Sequence, residues 1–141
     1  MSDFARLVHE SIDLGALQAV SAGDGAVCLF LGVVRNENRG RRVVLLEYEA
    51  YEEMALPLME EIVEETRRRF RVGEVRLVHR LGRLEVGDAS VAVAVASPHR
   101  DEAFAACRFA IDTLKAKVPI WKKEHYADGT AWLEGESPGP D

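Results

Sequence analysis

The stretch Ala89–Ala96 alternates valine with alanine and is followed at once by a helical pattern over Asp101–Lys117. A period of two predicts a buried strand, and apolar residues three and four apart predict a helix with one apolar stripe. Because one face of the strand carries only small side chains, we expect the helix to pack closely on that side. The strand faces are Val91, Val93 and Val95 against Ala92, Ala94 and Ala96, and the helical stripe is Ala103, Cys107, Ala110, Ile111 and Leu114.

The rest of the chain mixes strand-like and helix-like stretches, which predicts a single α+β domain over residues 1–141 with a mixed or antiparallel sheet. Asp13 is expected to cap a short N-terminal helix that runs to Val20. Asp128-Gly129 predicts a hairpin turn, and residues 134–141 are expected to form a flexible tail. The other expected elements are the strands Ala26–Val34, Val43–Tyr48 and Val75–His79 and the long helix Glu52–Phe70, with the first two strands paired across a basic loop.

Charge is distributed unevenly along this chain of 141 residues, whose formal net charge is −6. Residues 35–42 carry +3 and residues 115–123 carry +4, which leaves −13 on the remainder. An acidic body with two basic segments favours a focused site for a small anion over a long nucleic-acid track. The chain has no apolar run long enough for a membrane span and no signal peptide at its N-terminus, so we expect a cytoplasmic protein.

Cys28 and Cys107 lie far apart in apolar stretches and form no CxxC motif, so we interpret both as buried thiols. The four histidines show no ligand-like spacing, and we expect neither a metal site nor a cofactor.

All four lysines fall within the nine-residue segment KAKVPIWKK, whereas the other fourteen basic residues are arginines. An ammonium group can release its proton and a guanidinium group does not, so this segregation indicates amine chemistry or a compact phosphate-binding charge. Pro119 should end the helix, which places Lys115 in the last turn and Lys122 beyond it, so that both amines can meet in one pocket. Trp121 is expected to wall that pocket. The alternative is a solvated lysine run.

Two further groups of residues have the composition of anion sites. His99 and Arg100 stand between a strand and the start of a helix, where unpaired backbone N–H groups favour an anion. Arg35 ends an apolar strand and enters a polar loop with Asn36 and Asn38. Each has an ordinary alternative, namely a capping histidine with a surface arginine and a solvated strand-ending arginine.

Five segments of the chain form a recognisable set. They are GVVRNENRG (32–40), LEYEAYEEMA (46–55), HRLGRLEVGD (79–88), VASPHRDEAF (95–104) and LKAKVPIWKKE (114–124). Together they resemble, in order, the large catalytic subunit family of molybdopterin synthase. That resemblance covers about residues 26–134 and implies an α/β hammerhead fold, a homodimer, and a small ubiquitin-like partner on each large subunit of a heterotetramer.

The resemblance also implies a reaction, the transfer of two sulfurs from the partner's C-terminal Gly-Gly thiocarboxylate to cyclic pyranopterin monophosphate, forming the dithiolene of molybdopterin. It implies that Lys115 and Lys122 are catalytic, with Lys115 preferred as general acid/base and the reverse assignment open. The implied substrate-binding residues are Val33, Val34, Arg35, His99, Arg100, Lys115, Lys122, Lys123 and Glu124. The alternatives are a nucleotide-binding or RNA-end-binding module that uses Trp121 as a stacking platform, and an inactive paralogue.

Overall fold

The structure, a computed structural model, describes residues 3–135, and no helix within them is long and apolar enough to cross a membrane. Of the predicted tail 134–141, the backbone of 134 and 135 belongs to a strand, and residues 136–141 lie outside the described residues. The described chain forms the strands β1 (Phe4–Val8), β2 (Ala26–Val33), β3 (Glu37–Asn38), β4 (Arg41–Ala50), β5 (Glu74–Arg80), β6 (Gly82–Glu85), β7 (Ala89–Ser97), β8 (Ile120–Tyr126) and β9 (Ala131–Gly135), and the helices α1 (Glu52–Arg69) and α2 (Arg100–Lys117).

These strands form two sheets. The first has the order β1-β5-β7-β2, with β1 parallel to β5 and the other neighbours antiparallel. The second is antiparallel, with the order β3-β4-β8-β9 and β6 paired to β4. α1 packs on β1 and β5, and α2 packs on β7 and β2, so both helices cover the first sheet.

The expected pairing of the first two predicted strands is wrong. β2 pairs with β7 over Ala26–Val33, whereas β4 pairs with β6 and β8 in the second sheet. The register of β2 shifts between Gly32 and Val33, and the chain then leaves the first sheet. The basic loop therefore connects two sheets instead of closing a hairpin between β2 and β4.

The side of β7 on which the helix packs also differs from the expectation. Val91, Val93 and Val95 share the main core with the apolar stripe of α2, and the Cys107 thiol lies 3.6 Å from the Val93 carbonyl oxygen. The small residues that allow close approach are those of the helix, because its stripe is rich in alanine. Ala92 and Ala94 face the other way and pack with Leu17 and Val78.

That alanine face is covered by the N-terminal segment, which forms one turn of 3-10 helix, Gly15–Leu17, instead of the predicted helix to Val20. The N-cap of this turn is Leu14, one residue after the predicted Asp13, although Asp13 Oδ1 accepts hydrogen bonds from the backbone N–H groups of Gly15 and Ala16. Arg76 of β5 is almost fully buried below this segment, and its guanidinium donates to the Ala19 carbonyl oxygen at 2.9 Å.

The two cysteines are both free thiols, as predicted, but only Cys107 is fully buried and Cys28 is half-buried. Burial raises the pKa of the Cys107 thiol to about 12, and the neighbouring Cys28 thiol contributes to the rise. Since an unfolded cysteine titrates near pH 8.5, the folded state favours the neutral thiol. The corresponding stability is complete below about pH 8.5 and is lost as the pH rises toward 12.

We expect the Cys28→Ala variant, in which Cys107 is the remaining thiol, to resist a thiol reagent near pH 8 until denaturant is added. The free energy of unfolding should also fall as the pH rises above about 9, and it should fall less in Cys107→Ala than in the wild type. Rapid labelling of folded Cys28→Ala, at the rate of an unfolded peptide, would contradict the buried position.

Candidate functional site

A cavity of about 230 Å³ opens where the end of β2, the strands β4 and β8 and the last turn of α2 meet. Its position between the two sheets follows from the chain leaving the first sheet after Val33. We call it the inter-sheet cleft. It is lined by Phe30, Gly32, Val33, Val34, Arg35, Glu37, Val43, Leu46, Tyr48, Ser90, Val91, Lys115, Lys122 and Glu124.

The structure brings Lys115 and Lys122 to this cleft from two different elements. Lys115 is half-buried in the last turn of α2, which ends where the backbone N–H of Val118 donates to the Leu114 carbonyl oxygen. Pro119 then turns the chain into β8, which begins at Ile120. The two amines are therefore neighbours because helix and strand meet at a corner.

Alternation along β8 decides which side chains enter the cleft. Lys122 and Glu124 are buried on its inner face, with 9% and 3% of their surface exposed. Trp121 lies on the other face and donates from Nε1 to Glu49 at 3.3 Å, so the expectation that it walls the pocket is wrong. Lys123 is exposed and does not line the cleft. This arrangement also removes support for Trp121 as a stacking platform beside Lys122.

Glu124 is the buried acid of the cleft, and three donated hydrogen bonds hold it. Asn38 Nδ2 lies 2.8 Å from Oε1 and 3.0 Å from Oε2, and the Tyr126 hydroxyl donates to Oε1 at 2.6 Å. A buried charge requires such partners, since its desolvation is costly. The inner face of β8 thus presents a lysine and a fixed carboxylate, two residues apart.

Arg35 follows β2 on an exposed loop and forms part of the cleft rim. The loop folds back as the short hairpin of β3 with β4, whose turn residues Arg39 and Gly40 have φ of 52° and 80°. Two positive φ values are the geometry of a tight two-residue hairpin turn. The cleft then carries three cations, Arg35, Lys115 and Lys122, against two acids, Glu37 and Glu124, and such a balance suits an anionic ligand.

His99 and Arg100 are not at this cleft. His99 is the residue before α2, and both side chains are exposed at the helix N-terminus. Lys115 lies fifteen residues after Arg100 on the same helix, which amounts to about 22 Å along the helix axis. One chain therefore does not bring the predicted His99-Arg100 pair to the two lysines.

Sequence reasoning named Val33 and Val34, which line the cleft, but it missed the other apolar and aromatic residues there. Tyr48 faces inward beside Lys122, because Tyr48 is its register partner across the β4–β8 ladder. Phe30 and Val91 come from the β2–β7 pair. The alternating pattern of β4 contains the signal for Tyr48, but identifying its neighbour requires the strand pairing, which the local pattern does not contain.

A larger cavity of about 430 Å³ lies between α1 and α2, and it contains none of the predicted site residues. Three of its charged residues pair with one another, since Glu65 forms ion pairs with both Arg68 and Arg69 on α1. These arginines hold the pKa of the half-buried Glu65 carboxyl below its usual value. Within residues 3–135, no group of three or more His, Cys, Asp or Glu side chains has the geometry to hold a metal ion.

Comparison with known proteins adds independent findings. The family model described as MoaE protein matches residues 7–117. The molybdopterin synthase catalytic subunit of Nostoc sp. strain PCC 7120 is 53% identical over 117 residues, covering 82% of this chain and 71% of that protein. Molybdopterin synthase from Staphylococcus aureus has a similar structure, with a TM-score of 0.86 at 37% identity over 92% of this chain and 95% of that one.

The fold is also found in a complex of subunits 1 and 2 of molybdopterin-converting factor from Helicobacter pylori 26695. The TM-score is 0.74 at 21% identity, and the match covers 92% of this chain and 88% of that chain. These structural matches confirm the predicted α+β class.

Proposed function

Since the chain belongs to the MoaE family, we propose that it is the catalytic subunit of a molybdopterin synthase and acts in molybdenum cofactor biosynthesis. Its reaction is sulfur transfer from the C-terminal thiocarboxylate of a small ubiquitin-like partner to cyclic pyranopterin monophosphate. The observation that carries this proposal is the convergence of Lys115 and Lys122 on one cleft that also holds Arg35. That convergence unites the two lysines that the family resemblance marks as functional.

The cleft has the charges that such a transfer needs. Both the partner's thiocarboxylate and the phosphate of the pterin are anions, and the three cations of the cleft attract them. The thiocarboxylate sulfur adds to a side-chain carbon of the pterin as oxygen leaves that carbon, with Lys115 as the general acid/base and Lys122 stabilising the developing negative charge. Water then hydrolyses the bond between this sulfur and the partner's carbonyl carbon, which releases the partner with an ordinary carboxylate. No cysteine lines the cleft among the described residues, which agrees with sulfur that arrives on the partner's tail.

The partner's tail is the source of sulfur in this proposal, so the isolated chain is inert. A Gly-Gly terminus carries no side chains and suits a narrow cleft of about 230 Å³. The two-subunit composition of the Helicobacter pylori complex supports a second protein as partner.

A homodimer of this chain would explain how His99 and Arg100 contribute to a site that lies far from them within one chain. These residues lie about 22 Å of helix axis from Lys115 within one chain, so they join a cleft only if a second copy presents its own α2 N-terminus there. Their exposure at the strand-to-helix junction and their charge suit the phosphate of the substrate.

This dimer arrangement can be tested with two inactive variants, Lys115→Ala and Arg100→Ala. When they are mixed and allowed to exchange subunits, half of the dimers are mixed and each has one intact site, so we expect roughly a quarter of wild-type product formation. The dimer arrangement is contradicted if subunit exchange is proven and product formation still equals the sum of the two separate variants. Both residues would then belong to the site of one chain, or Arg100 would not belong to the site.

Lys115→Arg should retain positive charge and the fold but lose about a hundredfold or more of product formation, because guanidinium does not release its proton at working pH. Lys117→Arg, two residues further on the same helix and outside the cleft, is the matched control and should remain active. Turnover of purified Lys115→Arg with the thiocarboxylated partner is the measurement, and near-normal turnover would eliminate amine chemistry at this position.

The whole proposal is tested by reconstitution with a thiocarboxylated Gly-Gly partner and cyclic pyranopterin monophosphate. We expect product only when the partner carries the thiocarboxylate. The same partner with an ordinary carboxylate should compete for binding, because both tails carry a negative charge. Binding should weaken as salt is raised. Equal conversion by the isolated chain with free sulfide, or failure to bind any Gly-Gly-tailed protein, would overturn the proposal.

A further inference from the structure

We propose that Asn38 and Tyr126 are positioning residues of the inter-sheet cleft, which hold the Glu124 carboxylate beside Lys122 and tie the arginine-bearing loop to the cleft floor. This inference rests on the proposed function, and it adds two residues that do not themselves belong to the sulfur-transfer chemistry. Their contacts with Glu124 are side chain to side chain, so each can be removed without changing a backbone hydrogen bond.

The Glu124 carboxylate has its orientation fixed at both oxygens. Asn38 reaches both oxygens through one amide nitrogen, and the hydroxyl of Tyr126 reaches Oε1 at the short distance of a charge-assisted bond, 2.6 Å. Glu124 and Lys122 point the same way from β8, and their Cα atoms are about 7 Å apart along the strand. A carboxylate held in one orientation gives the neighbouring ammonium group a fixed electrostatic environment.

Asn38 makes a second connection, because it lies three residues after Arg35 on the same loop. Its bond to Glu124 spans 86 residues of sequence and links the loop to the floor of the cleft. The placement of the Arg35 side chain on the rim therefore depends on the same carboxylate that lies beside Lys122. Loss of the Asn38 amide should affect both cations.

Tyr126 is itself held in place by Arg41, the first residue of β4. The Arg41 guanidinium lies 3.8 Å from the centre of the Tyr126 ring and 3.1 Å from an Asp128 oxygen. A cation over an aromatic face is attractive and fixes the ring. The Tyr126 hydroxyl is thus aimed at Glu124 by packing that survives when only that hydroxyl is removed.

The test compares Tyr126→Phe and Asn38→Ala with the wild type in the reconstituted system with thiocarboxylated partner. We expect each to lower kcat about tenfold or more, with KM for the partner changed by less than about threefold, because the hydrogen bonds lost are to a charged group inside the cleft. Tyr51→Phe removes an exposed hydroxyl outside the cleft and is the matched control.

Two further measurements separate positioning from a general loss of structure. In a Glu124→Ala background, Tyr126→Phe should cause no additional loss of kcat, because the carboxylate that the Tyr126 hydroxyl positions is already absent. Amide hydrogen exchange, which needs no substrate, should rise several-fold over residues 35–42 in Asn38→Ala but not in Tyr51→Phe.

A kcat within about twofold of wild type in Tyr126→Phe, or losses that multiply in the Glu124→Ala background, would overturn the positioning role. If the wild type itself makes no product, the proposed function fails, and hydrogen exchange decides this inference separately. In that case, unchanged exchange over residues 35–42 in Asn38→Ala overturns it, and increased exchange supports it.

Discussion

The antiparallel pairing of β8 with β4 is the constraint on which the inter-sheet cleft depends. It sets Tyr48 opposite Lys122 and Leu46 opposite Glu124, so that an aromatic and an aliphatic side chain flank the two inward charges. The pairing also determines which residues of β8 stay outside the cleft, since the side chains between Ile120 and Lys122 and between Lys122 and Glu124 point to the other face. The composition of the cleft therefore follows from one ladder, together with the corner at which α2 ends.

Within the described residues 3–135, charged side chains are buried in two places with different consequences. Arg76 and Glu74 form an internal pair at 3.0 Å, with 2% and 9% of their side chains exposed, and Arg76 also binds the backbone of the N-terminal segment. Removal of one partner there would leave a buried charge uncompensated. Glu124 is equally buried, but it lies beside an open cleft, where a ligand can contact the charges around it.

Local signals in the sequence predicted the two long helices well. Both long helices end within one residue of the expected position, because Pro119 and the apolar stripes act over a few residues. Long-range relations were not predictable in the same way. Both faces of β7 are buried, so the contrast of valine with alanine did not indicate which face receives the helix, and the partner of β2 lies some sixty residues away. For the site, the lysine segment identified Lys115 and Lys122, whereas Asn38, Tyr126 and Tyr48 become visible only once the strands are paired.

The lysine doublet in β8 makes the cleft unequally tolerant of insertions and deletions. The deletion of one residue between Pro119 and Lys122 moves each later residue back by one position in the ladder and reverses the faces of the strand, as any one-residue slip does. Lys123 would then point inward at the position of Lys122, so that one amine takes the place of another. His125 would replace Glu124, however, and the carboxylate with its two donors would be lost. Over evolutionary time, the spacing from Pro119 is therefore constrained more by the acid than by the lysines.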